Sequence, residues 1–246
     1  MNVLYAAAKR LQFLDQLLPL AWRVPARYHA LRMSGGIEQE VALLPTLVPE
    51  NSIAVDVGAN QGTYSYRLAG LARSVIAIEP IPFCAATIDA WAKGRNVAVH
   101  CCGVSDVHGV LTLHVPTANG RPISTRASFV RSGSDDLDLA VPVVTLDSFD
   151  MADVGFIKID VEGHELSVLK GAEATISRYR PTLLVEIDPI VQPPTQFAAV
   201  FNWLSERGYS SYHMSNNGLV PCDTSVQTER PEVYNFIFIH TTNSQG

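Results

Sequence analysis

Two short stretches hold most of the groups in this chain that could do chemistry. In IAVDVGANQGTYS, Ile53 to Ser65, an apolar run ends at Asp56 and passes through Gly58, Asn60 and Gly62. In FIKIDVEGHE, Phe156 to Glu165, an apolar run carries Lys158, ends at Asp160 and continues through Glu162 and His164. A third run, TLLVEID, adds Glu186 and Asp188. Acids brought to one place either raise one another's pKa, which makes a general base, or recruit a hard cation such as Mg²⁺ through their oxygens. His164, whose ordinary pKa lies near neutrality, is a second candidate base. The candidate catalytic groups are therefore Asp160, Glu186, His164 and Lys158, with Asp160 and Glu186 as a candidate Mg²⁺ site. Plainer readings stand beside these. Glu162 and Glu165 are also acids of the kind favoured at a helix N-terminus. His164 is equally a structural residue, Asp147 a helix cap, and Lys158 a buried lysine that needs a carboxylate or carbonyl partner.

The glycine loop narrows the ligand. A dinucleotide fingerprint needs G-x-G-x-x-G so that backbone can approach a pyrophosphate, whereas this chain has only G-A-N-Q-G. Asp56 also opposes an anion: at about 4 Å and an effective dielectric near 20, two unit charges interact by about 4 kcal/mol. A nucleoside that is cationic and carries no phosphate meets both constraints, and S-adenosylmethionine is such a molecule. Glu79, closing SVIAIE, can accept hydrogen bonds from two ribose hydroxyls. In GVSD, Gly103 to Asp106, Ser105 and Asp106 are placed to meet an adenine, or else to form a plain turn. The candidate cofactor-binding set is Asp56, Gly58, Asn60, Gly62, Glu79, Ser105, Asp106 and Asp160.

The elements that must position these groups alternate along the chain. Apolar runs predict strands over 52–57, 74–78, 96–102, 155–161, 182–187, 209–213 and 233–240, with extended segments at 109–115 and 141–145. Helical periodicity predicts helices over 37–47, 63–72, 82–93, 165–177 and 196–206. Repeated β-α-β units with continuous apolar strands imply a mostly parallel sheet covered on both faces. The last two strands are joined by a polar segment without helical periodicity, which predicts an antiparallel pairing at one edge. Residues 116–140, polar and rich in Gly, Ser and Arg, read as a mobile surface loop, in which Arg121, Arg126 and Arg131 are either solvated or a clamp for an anionic acceptor.

At 246 residues the chain suits one α/β domain, and 47% hydrophobic against 17% charged residues describes a folded protein. Residues 1–36 read as an N-terminal helical extension and 37–246 as the main domain. A net charge of −6 argues against non-specific nucleic-acid binding. Leu11, Leu14, Leu17 and Leu18 recur at helical spacing, expected to pack on the domain or on a second copy in a homodimer, or to touch a membrane peripherally. Lys9, Arg10 and Asp15 interrupt that run, so it suits neither a signal peptide nor a bilayer span. Cys84, Cys101, Cys102 and Cys222 lack metal-ligand spacing and read as reduced core thiols of a cytoplasmic protein.

On VDVGANQGTYS, IEPIP, GVSDVHG, VTLDSF, FIKIDVEGHELSVLKGA and PTLLVEID, the chain resembles the FkbM family of methyltransferases over roughly residues 38–188. The KIDVEGHE stretch is the most specific part. The resemblance implies a class I, Rossmann-like α/β methyltransferase fold with an antiparallel edge strand, S-adenosylmethionine as donor, and methyl transfer to oxygen. It implies as acceptor a hydroxyl of a sugar, glycolipid or polyketide. On it Asp56, Gly58, Asn60 and Gly62 form the methionine-side loop, Glu79 the ribose acid, and Asp160 and Glu162 belong to the DVEGHE signature. The competing classes are a nicotinamide-dependent oxidoreductase, opposed by the missing third glycine, and a non-catalytic cofactor-binding module, opposed by the acidic cluster.

Overall fold

The computed structural model describes residues 17–118, 121–130, 136–188, 192–215, 218–230 and 232–243. The chain opens with α1 (Leu20–Ser34), ended by Gly35 in the left-handed region, whose N–H bonds the Leu31 carbonyl. A 3₁₀ turn, Gln39–Ala42, and the short α2 (Leu44–Leu47) follow. Then come β1 (Ile53–Val57), α3 (Thr63–Leu68), β2 (Ser74–Ile78), α4 (Pro82–Ala92), β3 (Val97–His100) and β4 (Gly103–Val104). β5 (Gly109–Val115), β6 (Thr117–Ala118), β7 (Arg121–Pro122) and β8 (Leu137–Val144) lead to β9 (Val154–Ile159), α5 (Glu165–Gly171) and α6 (Glu173–Tyr179). β10 (Thr182–Glu186), α7 (Pro194–Ser205), β11 (Tyr209–Ser215), β12 (Gly218–Pro221), α8 (Val226–Glu229) and β13 (Asn235–His240) complete it.

The main sheet runs β12-β11-β13-β10-β9-β1-β2-β3. The five strands from β10 to β3 are parallel, and β13 is antiparallel to both β10 and β11. The expected antiparallel pairing of the last two strands is present, but β13 lies inside the sheet and the edge is taken by β12, which sequence periodicity does not show. Strand order reverses around β1, between β2 and β9, and that is where an open parallel sheet binds its ligands. Alternate residues feed two cores. Val55, Val57, Ile157, Ile159 and Val185 face Val168 and Leu169 of α5, Ile176 of α6 and Phe197 and Phe201 of α7. Ala54, Phe156 and Leu184 face Tyr28 of α1 and Leu68 of α3. Leu11 and Leu14 lie outside the described residues. Leu17 is exposed, and α1 reaches the protein instead through Val24 and Tyr28. No helix among the described residues is long and apolar enough to cross a membrane.

Three predicted elements are broken, each for a local reason. The helix expected over 37–47 divides at Leu43, because Pro45 has no N–H to continue the ladder. The helix expected over 165–177 divides at Ala172. There the Asp147 carboxylate takes the N–H groups of Ala174 and Thr175 at 2.9 and 2.8 Å, capping α6 as a separate helix. The strand expected over 96–102 ends at His100, and β4 leaves to join β8 and β5 in a three-stranded sheet. This last break leaves Cys101 exposed rather than in the core; all four cysteines are free thiols.

The polar 116–140 segment also departs from expectation. Over 121–130 it is packed, not a mobile loop: Ser128 exchanges backbone hydrogen bonds with His114 at 2.9 and 2.8 Å, and its hydroxyl donates to the Glu162 carbonyl. Arg131 lies outside the described residues.

One close approach fixes α5 against the β4 turn. A Cβ on Gly171 would stand 2.0 Å from the Ser105 carbonyl oxygen. Gly171→Ala is therefore expected to lose about 3 kcal/mol of stability, the upper end of overpacking costs, measured as a lower midpoint in urea denaturation. A midpoint equal to that of the unsubstituted protein would show that this contact relaxes freely.

Candidate active site

Beyond the carboxyl ends of β1, β2 and β9 lies a cleft lined by Gly58, Asn60, Glu79, Ile81, Val104 and Asp160, with Ser124, Ala127 and Phe129 on its outer wall. Gly58 is required by geometry. Its φ of +77° is a left-handed conformation, and an added Cβ would stand 1.8 Å from the Asp160 carbonyl oxygen. The loop can thus lie flat on the end of β9 only without a side chain. Glu79 crosses to the same loop: its two carboxylate oxygens accept N–H bonds from Asn60 at 2.7 Å and Ile81 at 2.8 Å. Each oxygen keeps a lone pair for a ligand hydroxyl. Burial pushes Glu79 up to about 7, against the pull of those two bonds.

Asp56 and Gly62 sit differently from the lining residues. Asp56 is fully buried beneath the loop, accepts a 2.6 Å bond from Ser65, and is raised by burial against the nearby Lys158 charge. It belongs to the foundation of the cleft, not to its lining. Gly62, also left-handed, opens α3, where an added Cβ would press on the side chains of Ile88 and Val24 at 3.2 Å.

Beside the cleft the acids converge. Asp160, Glu162 and Glu186 each present an oxygen within 4.8 Å of the others. β9 supplies Asp160 at its end. Glu162 follows with φ of +51°, a turn that brings its side chain back to the rim, and β10 ends on Glu186. Lys158, 3% exposed, reaches along the strand to Asp160 Oδ2 at 2.8 Å, and its ammonium lies 4.6 Å from the Tyr64 ring centre. Burial alone would lower Lys158, but the Asp160 charge, and after it Asp56, outweigh it and hold the lysine charged. Burial, then the Asp160 charge, pushes Glu186 up to about 9, and the same pair of causes brings Glu162 to about 7.

The remaining predicted residues fall behind this rim. Ser105 and Asp106 follow β4, and neither is among the described residues lining the cleft; Gly103 and Val104 take that place. Ser105 is buried, with its hydroxyl 2.9 Å from His164 Nε2 and 3.1 Å from Asp106 Oδ1. His164 packs against Phe129 with ring centres 5.0 Å apart, and burial lowers its pKa, which keeps the imidazole neutral. Glu165 folds back onto the Gly163 N–H at 2.7 Å and accepts from Gln192 at 2.7 Å, a helix-start acid as well as a buried one.

Three groups around the rim escape sequence reasoning. Tyr64 donates to Glu38 at 2.6 Å, and Asn235 donates to Glu38 at 3.2 Å. Glu38 and Asn235 are 197 positions apart, and no short motif spans such a distance. Only the placement of Glu186 at the end of its strand points toward β13, whose Asn235 is its register partner.

Comparison with known proteins follows this geometry. The profile of the methyltransferase FkbM domain matches residues 56–211. The crystal structure of methyltransferase FkbM from Methylobacillus flagellatus KT is similar at a TM-score of 0.52 and 21% identity, over 96% of this chain and 58% of that one. The chain thus spans little more than half of that protein, and the likeness establishes the class I methyltransferase fold. A putative methyltransferase from Streptococcus mutans in complex with SAH is similar at a TM-score of 0.48 and 12% identity, over 82% and 99% of the two chains. No curated protein matches the chain. The FkbM profile runs from the acid beneath the glycine loop as far as β11 and takes in the whole carboxylate rim, and the chain belongs to the FkbM methyltransferase family.

Proposed function

We propose that this protein transfers the methyl group of S-adenosylmethionine to a hydroxyl of a sugar, glycolipid or polyketide-type small molecule. The observation that carries the reading is the convergence of Asp160, Glu162 and Glu186 within 4.8 Å beside a glycine-floored cleft that also holds Glu79. The groups present suit such a donor. Gly58 leaves a cradle that a Cβ would fill, Glu79 has oxygens free to meet ribose hydroxyls, and the carboxylates of cleft and rim outnumber the single lysine. An anionic pyrophosphate would meet the same charges unfavourably.

The donor supplies an electrophilic methyl on a positively charged sulfur, and the protein prepares the oxygen that takes it. An aliphatic hydroxyl must shed its proton as it attacks. Asp160, fixed by Lys158 at the mouth of the cleft, accepts that proton. A bound donor would supply the methyl group to the acceptor oxygen and leave as the neutral thioether, while the proton passes from Asp160 through the rim to solvent. Glu186, pushed up to about 9 by burial and then by the Asp160 charge, holds a proton near neutral pH and leaves Asp160 as the acceptor. His164, neutral and bonded to Ser105, orients the turn that carries Glu162.

A metal-assisted version draws on the same three oxygens, which are the hard donors Mg²⁺ takes. Lys158 competes with a cation for Asp160.

Asp160→Asn is expected to lower kcat at least ~100-fold, the scale of one general base, while the donor Kd measured calorimetrically changes less than threefold. Unimpaired turnover would remove Asp160 from proton transfer. In the metal-assisted version a chelator stops methyl transfer and added Mg²⁺ restores it; activity indifferent to chelation leaves the carboxylate alone as base. Because the donor is cationic, it favours ionised Glu79, whose pKa lies at about 7. Its affinity is therefore expected to rise between pH 6 and pH 8, with proton release on binding at pH 7. Calorimetry in buffers of different ionisation enthalpy reads both, and proton uptake would contradict the assigned charge.

A further inference from the structure

α1 is apolar on two sides. Its inner side is Val24, packed in one cluster with Ile88 and Trp91 of α4, and Tyr28, packed in another with Ala54 and Leu68. On the opposite side Trp22, Ala26, Ala30 and Met33 recur at the spacing of a single helix face. Trp22 is 68% and Met33 87% exposed, so this second stripe faces solvent. Phe83, at the start of α4 and 62% exposed, adjoins it, with the Arg23 guanidinium 5.7 Å from its ring centre. Leu17, just before α1, is exposed as well. Aromatic and long apolar side chains gathered on one outer surface mark a contact site rather than ordinary exposure.

We propose that the outward face of α1, with Phe83 beside it, docks on the surface of an anionic phospholipid membrane. The inference stands apart from the methyl-transfer reading and does not depend on it.

Charge selects this occupant. Residues 1–36 hold Lys9, Arg10, Arg23, Arg27 and Arg32 against Asp15 alone, in a chain whose net charge is −6. At about 100° per residue, Arg23 and Arg27 fall on one flank of the stripe and Arg32 on the other. An apolar stripe bordered by basic residues suits a helix lying in the plane of a membrane, the stripe at the headgroup boundary and the guanidinium groups among the phosphates. Tryptophan is at home at that depth, being an apolar ring with one N–H to satisfy. Acids elsewhere on the chain are screened over distances beyond about 10 Å at 0.1 M salt. A second copy of the chain is the poorer partner, since pairing the same face on itself sets arginines against arginines.

The geometry makes the contact peripheral. α1 has 15 residues, short of the roughly 20 that cross a bilayer. Phe83 follows Ile81 of the cleft lining by two positions, so the docking face borders the wall of the cleft.

The test uses the full chain with two vesicle preparations, phosphatidylcholine alone and phosphatidylcholine with about one third phosphatidylglycerol. In co-sedimentation the anionic vesicles are expected to bind the protein at least tenfold more tightly than the neutral ones, and to lose that advantage as salt rises from about 0.05 to about 0.5 M. Trp22 is the most exposed of the three tryptophans, and the fluorescence is expected to move to shorter wavelength on binding. Trp22→Ser combined with Met33→Ser is expected to weaken vesicle binding at least tenfold, and Arg32→Gln at least twofold, with the melting temperature unchanged because all three side chains are exposed. Absence of vesicle binding, equal binding to both preparations, or binding indifferent to the Trp22 and Met33 substitutions overturns the proposal. A dimer seen by light scattering that dissociates in the Trp22→Ser, Met33→Ser variant, in protein that ignores vesicles, would overturn it in favour of a second copy.

Discussion

Lys158 is the constraint around which the site is organised. A lysine ammonium buried in the middle of a parallel strand carries a desolvation cost of several kcal/mol by itself. The chain offsets that cost by surrounding the charge with Asp160 at 2.8 Å, Asp56 beneath the glycine loop and the face of Tyr64. Each of these neighbours then has a second task. Asp56 accepts from Ser65 and so fastens the start of α3 to β1. Asp160 brings its backbone against Gly58 and its carboxylate to the rim. Tyr64 carries the network outward to Glu38. One buried cation thereby joins the glycine-floored cleft, the rim and the cavity lined in part by Glu38.

Burial first, and then the surplus of acids around that lysine, explain the raised pKa values. Glu79 and Glu162 near 7 and Glu186 near 9 are carboxylates crowded into low dielectric with too little positive charge. Such a cluster is poorly satisfied by itself, and a cation brought beside it would favour the ionised carboxylates. The neutral His164, tucked behind Glu162 against Phe129, adds no charge to relieve it.

Much of this was legible in the sequence because the relevant residues end apolar strands. IAVDVG, SVIAIE, FIKID and TLLVE are unambiguous strand runs, and the acids or glycines that close them must emerge on one side of a parallel sheet. Gly58, Glu79, Asp160 and Glu186 are placed in that way, whereas Asp56, expected at the ligand, lies buried beneath the cleft. Ser105 and Asp106 are not placed in that way, since the chain leaves the main sheet after His100 and nothing in NVAVHCCGV marks the departure. The division of the 165–177 helix depended on Asp147, a residue recognisable as a cap but not as the cap of a helix 26 positions later in the chain. Glu38 and Asn235 were illegible for a related reason: their meeting is set by sheet order and by the connector that follows α1, neither of which has a local pattern.

The antiparallel strand β13 accounts for how Asn235 can stand opposite the rim acid Glu186. Parallel strands deliver only their final residues to the functional edge of a sheet, and β1, β2, β9 and β10 all do so. An antiparallel neighbour delivers its first residues and the loop before them. β13 therefore sets Asn235 against Glu186, the last residue of β10, and places the segment carrying Arg230, Glu232 and Tyr234 alongside. β13 is hydrogen-bonded on both sides from Phe236, which lies between Val185 of β10 and His213 of β11, and Asn235 just before it stands opposite Glu186. A site assembled from the end of one strand and the start of its neighbour can thus differ across its width: charge and backbone on the β1 side, and the buried amide of Asn235 on the β13 side.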